Sequence, residues 1–362
     1  MGYFKNINLF NFRNFENFSL ELSNNCNVLY GDNGCGKTNL LEAISLFAKG
    51  RGLRKDKIYN IIKKNNDKFL IKADFENDNI IYNLISETKK IKDRTKKIIS
   101  INNDQSTISL NSFFELISFL YFLPETERLF ISSPTNRRNF FDQLIFTYNY
   151  NYNTLINKYL KSIQERSKIL LSNNFDNTWI SRLEKNISNL GIEIYSLREK
   201  QKSIILKNTN NFLEKFNLPF KLNIILSDTF YKKNLDNEFY ENELKNNRKI
   251  DSILGGSKIG PHRSDFIFYV SDDFNASQLS TGQQKTLILL IYLSQCKYLV
   301  ESRNIKPILL LDEICSHLDA INRKILLTLV ETFSLQIFMT GTNKNLFSFL
   351  STNSNFCNII KK

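Results

Sequence analysis

The sequence is short of the residues that cross-link small secreted domains. Its five cysteines, Cys26, Cys35, Cys296, Cys315 and Cys357, are odd in number and lack C-x-x-C spacing. That pattern argues against a disulfide framework or a structural zinc site and fits a reducing cytoplasm. No apolar run approaches the ~18 residues that a membrane span requires. The opening residues, Met1-Gly2-Tyr3-Phe4-Lys5, lack a secretory hydrophobic region, and Asn6 breaks the myristoylation pattern. The expectation is a soluble, cytoplasmic protein with no membrane partner. Proline is missing from residues 137 to 214, and glycine appears there only as Gly191, so nothing in that stretch interrupts a helix. There is no internal repeat.

What is present is enough chain for two or three compact units: 362 residues, 42% hydrophobic and 23% charged, which is ordinary for a globular protein. The formal charge of +13 is not ordinary. It points to a polyanionic partner, nucleic acid before membrane, although charge speaks only to non-specific attraction.

The chain is organised around Gly31-Asp32-Asn33-Gly34-Cys35-Gly36-Lys37-Thr38, a G-x-x-x-x-G-K-T phosphate loop. It follows the apolar run Val28-Leu29-Tyr30, which reads as a strand. It precedes a segment in which Leu40, Ile44 and Phe47 recur at helical spacing. The glycines let backbone N–H groups curl toward phosphate oxygens, and the following helix adds its positive end. Lys37 is placed for the β- and γ-phosphates of ATP, and the Thr38 hydroxyl for one Mg²⁺ position.

A second set lies near the C-terminus. Pro307-Ile308-Leu309-Leu310-Leu311-Asp312-Glu313 reads as a buried parallel strand ending in two carboxylates. Asp312 is placed to hold Mg²⁺, and Glu313 to polarise an attacking water as the catalytic base beside Lys37. Upstream, Leu279-Ser280-Thr281-Gly282-Gln283-Gln284-Lys285 runs into a helix expected over 286–293, with Ser280 as a plausible N-cap. Capping explains Ser280, but it does not require Gly282-Gln283. After the carboxylates come Ser316-His317-Leu318-Asp319 and a final apolar strand, Ile337-Phe338-Met339, ending in Thr340-Gly341-Thr342.

Between the two sets, alternation over 69–84 reads as a β-hairpin turning at Asn77-Asp78. Lys49 to Lys55 and Lys89 to Lys97 are cationic runs. From about 137 to 214, Ile180, Leu183, Ile187, Leu190, Ile194, Leu197 and Ile204 step by threes and fours, with Gln201 interrupting. That is the seam of a packed helix pair, with the turn expected at Asn173-Asn174. A strand at 222–226 follows, and one at 265–270 is expected to return the chain toward the first sheet.

The order phosphate loop, L-S-x-G-Q, hydrophobic-D-E and S-H-L-D, split by a helical insertion, resembles the ATPase heads of the ABC/SMC superfamily. Finer motifs resemble the RecF family of bacterial DNA replication and repair proteins: Asn11-Phe12-Arg13-Asn14-Phe15, Pro124-Glu125, Ser133-Pro134 with Arg137-Arg138, Gly260-Pro261-His262-Arg263-Ser264-Asp265 and Thr340-Gly341-Thr342. The resemblance covers residues 3 to about 343. Lys285 stands where arginine is usual, Thr126-Glu127 is off the pattern, and the final loop lacks the switch histidine of transporter ATPases.

The resemblance implies an α/β ATPase head with a mixed sheet and an inserted helical arm. Its parts are expected at 1–120 (head, N-terminal part), 121–255 (arm) and 256–362 (head, C-terminal part). It implies that ATP is bound by the loop of one protomer, with Ser280, Gly282 and Gln283 of a second protomer closing on it and Asp319 at the same interface. ATP thus makes a homodimer that slow, DNA-dependent hydrolysis resets. It further implies binding to single-stranded and gapped double-stranded DNA and help to RecO and RecR in loading RecA. Arg51, Arg54, Arg137 and Arg138 are candidate DNA contacts. The alternatives are another SMC-like or ABC-type ATPase, a DNA-binding protein that holds ATP without hydrolysing it and, least favoured, a transporter ATPase subunit.

Overall fold

The computed structural model describes residues 2–360 except 92–93, 173–175, 232–234, 272–273, 317 and 352, and not the side chains of 90, 91 and 94. The expected turn at Asn173-Asn174 and His317 therefore lie outside the described residues. The chain forms two compact units, one of residues 1–127 with 281–362 and one of residues 128–280.

The first unit holds two five-stranded sheets. One is antiparallel, in the order β2 (Phe15–Glu21), β1 (Tyr3–Phe12), β4 (Leu70–Asn77), β5 (Ile80–Ile91) and β6 (Arg94–Ile101). The hairpin expected near residue 77 turns one residue later. Asn77 pairs with Ile80, and Asp78 and Asn79 both take positive φ, 51° and 64°, the backbone that a two-residue hairpin turn demands. The other sheet is wholly parallel, in the order β13 (Asn355–Asn358), β3 (Cys26–Tyr30), β12 (Ile337–Gly341), β11 (Ile308–Leu311) and β7 (Phe119–Phe122). Strands β11 and β12 are buried along their whole length, as their unbroken apolar runs require.

Helix α1 (Lys37–Ser45) is buried from Leu40 to Ser45. It shares one core with Phe4, Ile7 and Phe75 of the first sheet and Leu310 and Phe338 of the second. Two short helices, α2 (Ile58–Ile61) and α3 (Thr107–Leu116), flank the antiparallel sheet in sequence, and Phe113 of α3 meets Phe75 edge-on. Helix α9 (Thr281–Lys297) is longer than the expected 286–293 and is buried from Gln284 to Cys296. Its Tyr292 ring packs on Phe122 at the end of β7. Helix α10 (Ala320–Phe333) follows the carboxylate loop.

The second unit contains α4 (Pro134–Phe146), α5 (Tyr152–Leu171), α6 (Asn177–Lys215), α7 (Asn237–Asn246) and α8 (Arg248–Leu254). Its three-stranded sheet runs β10 (Phe274–Asn275), β9 (Asp265–Val270), β8 (Leu222–Ser227). At 39 residues, α6 is roughly 58 Å long. Its seam follows the expected positions Ile180, Leu183, Ile187 and Ile194, and then moves. Tyr195, Arg198, Gln201 and Ile205 become the buried residues, and Gln201, expected to interrupt, is fully enclosed. A straight helix drifts about 20° per heptad from a 3.5-residue repeat, so its later turns face new neighbours.

Strand β9 does not return to the first sheet as expected. It pairs with β8 and β10. Both β8 and β9 alternate buried with more open positions, which suits a sheet packed on one face and not the two-sided burial of β11. The Phe266 ring of β9 stacks on Phe141 of α4 at 3.7 Å between centroids.

Several buried polar groups in this unit are paired. Arg198 holds Asp142 with two hydrogen bonds, at 2.8 and 2.9 Å. His262 Nε2 lies 3.0 Å from the Ser257 carbonyl, which can only accept, so the ring proton sits there and Nδ1 accepts from Tyr159 Oη at 2.8 Å. Burial, opposed by the Ser257 hydrogen bond, pushes the imidazole down from 6.5 to about 4. The unfolded chain therefore binds a proton below pH 6.5 that the folded chain refuses until about pH 4. Stability should fall as pH drops through that window, by on the order of 2–3 kcal/mol. Urea unfolding at pH 7.5 and 4.5 should show this decrement, and His262→Gln should remove it. An unchanged decrement would assign it to other groups.

Candidate nucleotide site

The phosphate loop joins the end of β3 to α1, so its backbone amides and the start of a helix face the same space. At two positions of the loop a side chain would clash: a Cβ on Gly31 would lie 2.3 Å from the Ile359 carbonyl oxygen, and the second position is Gly36. Its φ is +113°, and a Cβ there would lie 2.6 Å from the Phe15 ring and 2.7–2.8 Å from the Asn14 carboxamide. Asn14 braces the loop by donating to the Cys35 carbonyl at 2.9 Å and accepting from Asn39 Nδ2 at 2.7 Å. Arg13 grips Glu42, a fully buried carboxylate of α1, through two hydrogen bonds at 2.6 and 2.8 Å. The motif Asn11 to Phe15 thus fixes the loop and its helix from behind. The sequence marked these residues without giving them a task.

Lys37 is buried, and its Nζ donates to the Gly31 and Asp32 carbonyls at 2.7 and 2.9 Å. These two carbonyls hold the ammonium at the loop. Thr38 Oγ1 donates to the Asp312 carboxylate, 2.9 and 3.0 Å from its two oxygens. The two residues are 274 positions apart, and β12 lies between their strands in the sheet. Thr340, at the end of β12, fills that interval. Its hydroxyl donates to Asp312 Oδ1 at 2.7 Å and accepts the Glu313 N–H at 2.8 Å.

Glu313 takes φ +52°, a left-handed backbone uncommon for any residue but glycine, asparagine or aspartate and concentrated at functional sites. Its side chain is exposed beside the buried Asp312. The sequence reading did not place Thr340 in the site. Its signals were its place in the Thr340-Gly341-Thr342 motif and a hydroxyl at the end of an apolar strand. Thr340→Val keeps the shape and removes the acceptor of the half-buried Glu313 N–H, a loss of roughly 1 kcal/mol. ATP hydrolysis should fall at least tenfold while urea unfolding shifts modestly. Unchanged phosphate release would remove Thr340 from the site.

The first turn of α9 leaves Thr281 and Gln283 exposed, and Ser280 stands just before it. A Cβ on Gly282 would lie 4.0 Å from an Asp319 carboxylate oxygen. Asp319 also caps α10, accepting from the Asn322 N–H at 2.7 Å. Lys285, the fifth residue of that helix, donates to the Ser316 carbonyl at 2.8 Å and pairs with Glu127 at 2.7 Å. The lysine that replaces arginine therefore still joins the helix start to the loop after Glu313 and the loop after β7. Among the suggested DNA contacts, Arg137 is committed to Asp265 at 2.6 and 2.8 Å, and Arg138 to the Ser264 carbonyl at 2.6 Å. Both are internal braces. Arg54 donates to Asn39 at 2.9 Å, whereas Arg51 is exposed.

The donor set fits a nucleotide with a divalent cation. The loop offers amides and a buried ammonium to phosphate, and a hydroxyl and a carboxylate converge as hard oxygen ligands of the kind Mg²⁺ takes. Fold and site together define a phosphate-loop ATPase head of the ABC/SMC class.

Comparison with known proteins agrees with this class. The family described as RecF/RecN/SMC N terminal domain matches residues 3–359. The DNA replication and repair protein RecF of Rickettsia typhi is 34% identical over 343 residues, 93% of each chain. Among solved structures, that of the recombination mediator protein RecF-ATPrS in the RecFOR pathway superposes with a TM-score of 0.84 at 26% identity, covering 97% of this chain and 94% of its own. The Smc head domain of Pyrococcus furiosus, at 16% identity and a TM-score of 0.55, shares the fold. The chain belongs to the RecF family. No helix among the described residues is long and apolar enough to cross a membrane.

Proposed function

We propose that this protein is a RecF-like DNA replication and repair ATPase in which ATP joins two heads on DNA. The observation that carries the reading is the chain of contacts Thr38–Asp312–Thr340–Glu313. It links the phosphate loop to an exposed carboxylate across three neighbouring parallel strands. In this reading Gly31 to Thr38 bind the ATP phosphates, with Lys37 opposite the β- and γ-phosphates. Thr38 and Asp312 hold Mg²⁺, which when bound neutralises phosphate charge. Glu313 orients the attacking water, and its left-handed backbone fixes where the carboxylate starts. Ser280, Gly282 and Gln283 of a second copy contact the γ-phosphate, with Asp319 at the same boundary. The exposure of Thr281 and Gln283 supports that assignment.

The γ-phosphate then acts as a switch, since a ligand shifts an equilibrium only through contacts present in one state. Hydrolysis deletes those contacts and releases the dimer; in this reading turnover is slow and tied to DNA. The charge of +13 suits a gapped or single-stranded DNA partner. Handover to RecO- and RecR-like mediators and RecA is part of this reading, and the RecFOR pathway named for the solved relative supports it.

Light scattering on Glu313→Gln protein tests the central claim. The mass should double from 42.4 kDa with ATP but not with ADP, and Ser280→Arg should abolish the doubling. A monomer under every condition would reject the shared site.

A further inference from the structure

We propose that the outer face of α8 is a docking site for an acidic amphipathic helix of a protein partner. The polarity of α8 is inverted. A surface helix ordinarily turns its apolar stripe to the core and its charges to water. In α8 the charges face in. Asp251 is fully buried, accepting from Arg166 at 2.6 Å and from the Lys258 N–H at 2.8 Å. Arg248, half-buried, donates to Glu184 and Ser181 of α6 at 2.5 and 3.0 Å. The apolar residues face out. Ile250, Ile253 and Leu254, at helical spacing, are 44%, 79% and 60% exposed.

Apolar groups stabilise a fold by leaving water, so Ile253 and Leu254 contribute little to this one. Residues three and four apart share a helix face, and the ion pairs beneath α8 hold that face outward. Gly255 then ends the helix with φ +69°, and a Cβ there would meet nothing within 4 Å. The surface beyond Leu254 is therefore open. A contiguous aliphatic patch kept in water by buried ion pairs marks an interaction surface.

The rim of this patch selects the occupant. Lys249 lies one turn before Ile253 on the same face. Lys258 is tied to Asp251 through its backbone, and Arg263 Nη2 lies 3.9 Å from where a Gly256 Cβ would stand. All three cations are exposed, and no ion pair engages any of them among the described residues. Between Lys245 and Arg263 the only carboxylate is the buried Asp251.

A partner helix with leucine-like residues along one stripe covers Ile250, Ile253 and Leu254, and carboxylates flanking that stripe meet the cations. A second copy would set cations against cations, which disfavours self-pairing. A nucleic acid strand would use the cations but stacks its bases on aromatic rings, and α8 has none. A bilayer surface is bound through longer apolar faces, and this one spans about two turns.

The test uses the full chain and a fluorescein-labelled, four-turn peptide of leucine, alanine and glutamate, followed by anisotropy. Its leucines recur at helical spacing and its glutamates flank them. The peptide should bind saturably. Ile253→Ser should weaken it at least tenfold while the urea midpoint and ATP hydrolysis stay unchanged, and Lys249→Glu with Lys258→Glu should do the same. A scrambled peptide of equal composition, and one with lysine in place of glutamate, should fail to bind. Absence of binding at millimolar peptide, or equal binding by the scrambled peptide, would overturn the proposal. A large fall in the urea midpoint of Ile253→Ser would also overturn it, because the face would then belong to the core. So would Ile253→Ser reducing cosedimentation with phosphatidylglycerol vesicles, or affinity for oligothymidylate, while peptide binding stays intact. Peptide binding should not require ATP, so its failure and a failure of the shared nucleotide site are read separately.

Discussion

Lys37→Met is expected to lower ATP hydrolysis by at least ~10²-fold and to abolish the ATP-dependent doubling of mass. A preorganised donor aimed at charge that develops in the transition state is worth about 10²–10³ in rate. Lys37 is preorganised in that sense, because the Gly31 and Asp32 carbonyls hold its amine over the loop. Methionine keeps the buried stem and removes the charge. The two carbonyls released belong to a half-buried and an exposed residue, where water can replace the amine, so urea unfolding should barely move. Comparison with Glu313→Gln separates the roles. That variant should lose hydrolysis to a similar extent while still binding ATP and still dimerising, because the amide cannot act as a base yet leaves the loop intact. Phosphate release and light scattering on both proteins check the pair. Equal hydrolysis by Lys37→Met and the parent would remove the loop from the reaction, whatever the dimer does.

Arg166→Met is expected to lose about 3–5 kcal/mol of stability, the largest effect foreseen outside the nucleotide site. Arg166 is 1% exposed. It donates to Glu184 at 2.9 Å, to Asp251 at 2.6 Å and to the Leu244 carbonyl at 2.6 Å, tying α5 to α6, α7 and α8. Glu184 would keep Arg248, whose Nη2 lies 2.5 Å away. Among the described residues Asp251 would keep only the Lys258 N–H at 2.8 Å, leaving a fully buried carboxylate without a cation. Taking one partner out of a buried pair costs more than the pair is worth, since the remaining charge is neither hydrated nor matched. Arg182→Met, at an exposed position of α6, should stay within about 0.5 kcal/mol. Urea unfolding of the two variants decides. A loss below 1 kcal/mol for Arg166→Met would mean that water reaches Asp251.

Much of the site was legible because its parts are local. A phosphate loop must be a glycine-rich turn between a strand and a helix, and every residue of that requirement sits within Val28 to Phe47. The strand before Asp312 was legible for a similar reason, since two-sided burial writes an unbroken apolar run. Periodicity likewise gave the early seam of α6, and it failed where the helix changed neighbours, at Gln201 and Ile205. The partner of Arg137 was not legible, because an arginine looks the same in sequence whether it meets DNA or Asp265.

The sequence by itself therefore determined the loop, the paired carboxylates, the helical insertion and the family, each carried by neighbouring residues whose spacing reflects one element's geometry. Only the tertiary structure decided that β12 stands between β3 and β11, so that Thr340 ties Asp312 to Glu313. It alone decided that β9 belongs with β8 and β10, and that Asn14 and Arg13 brace the loop. The physical reason is the same in each case. A hydrogen bond between residues 28 or 274 positions apart depends on strand order, and strand order leaves no periodic mark along the chain.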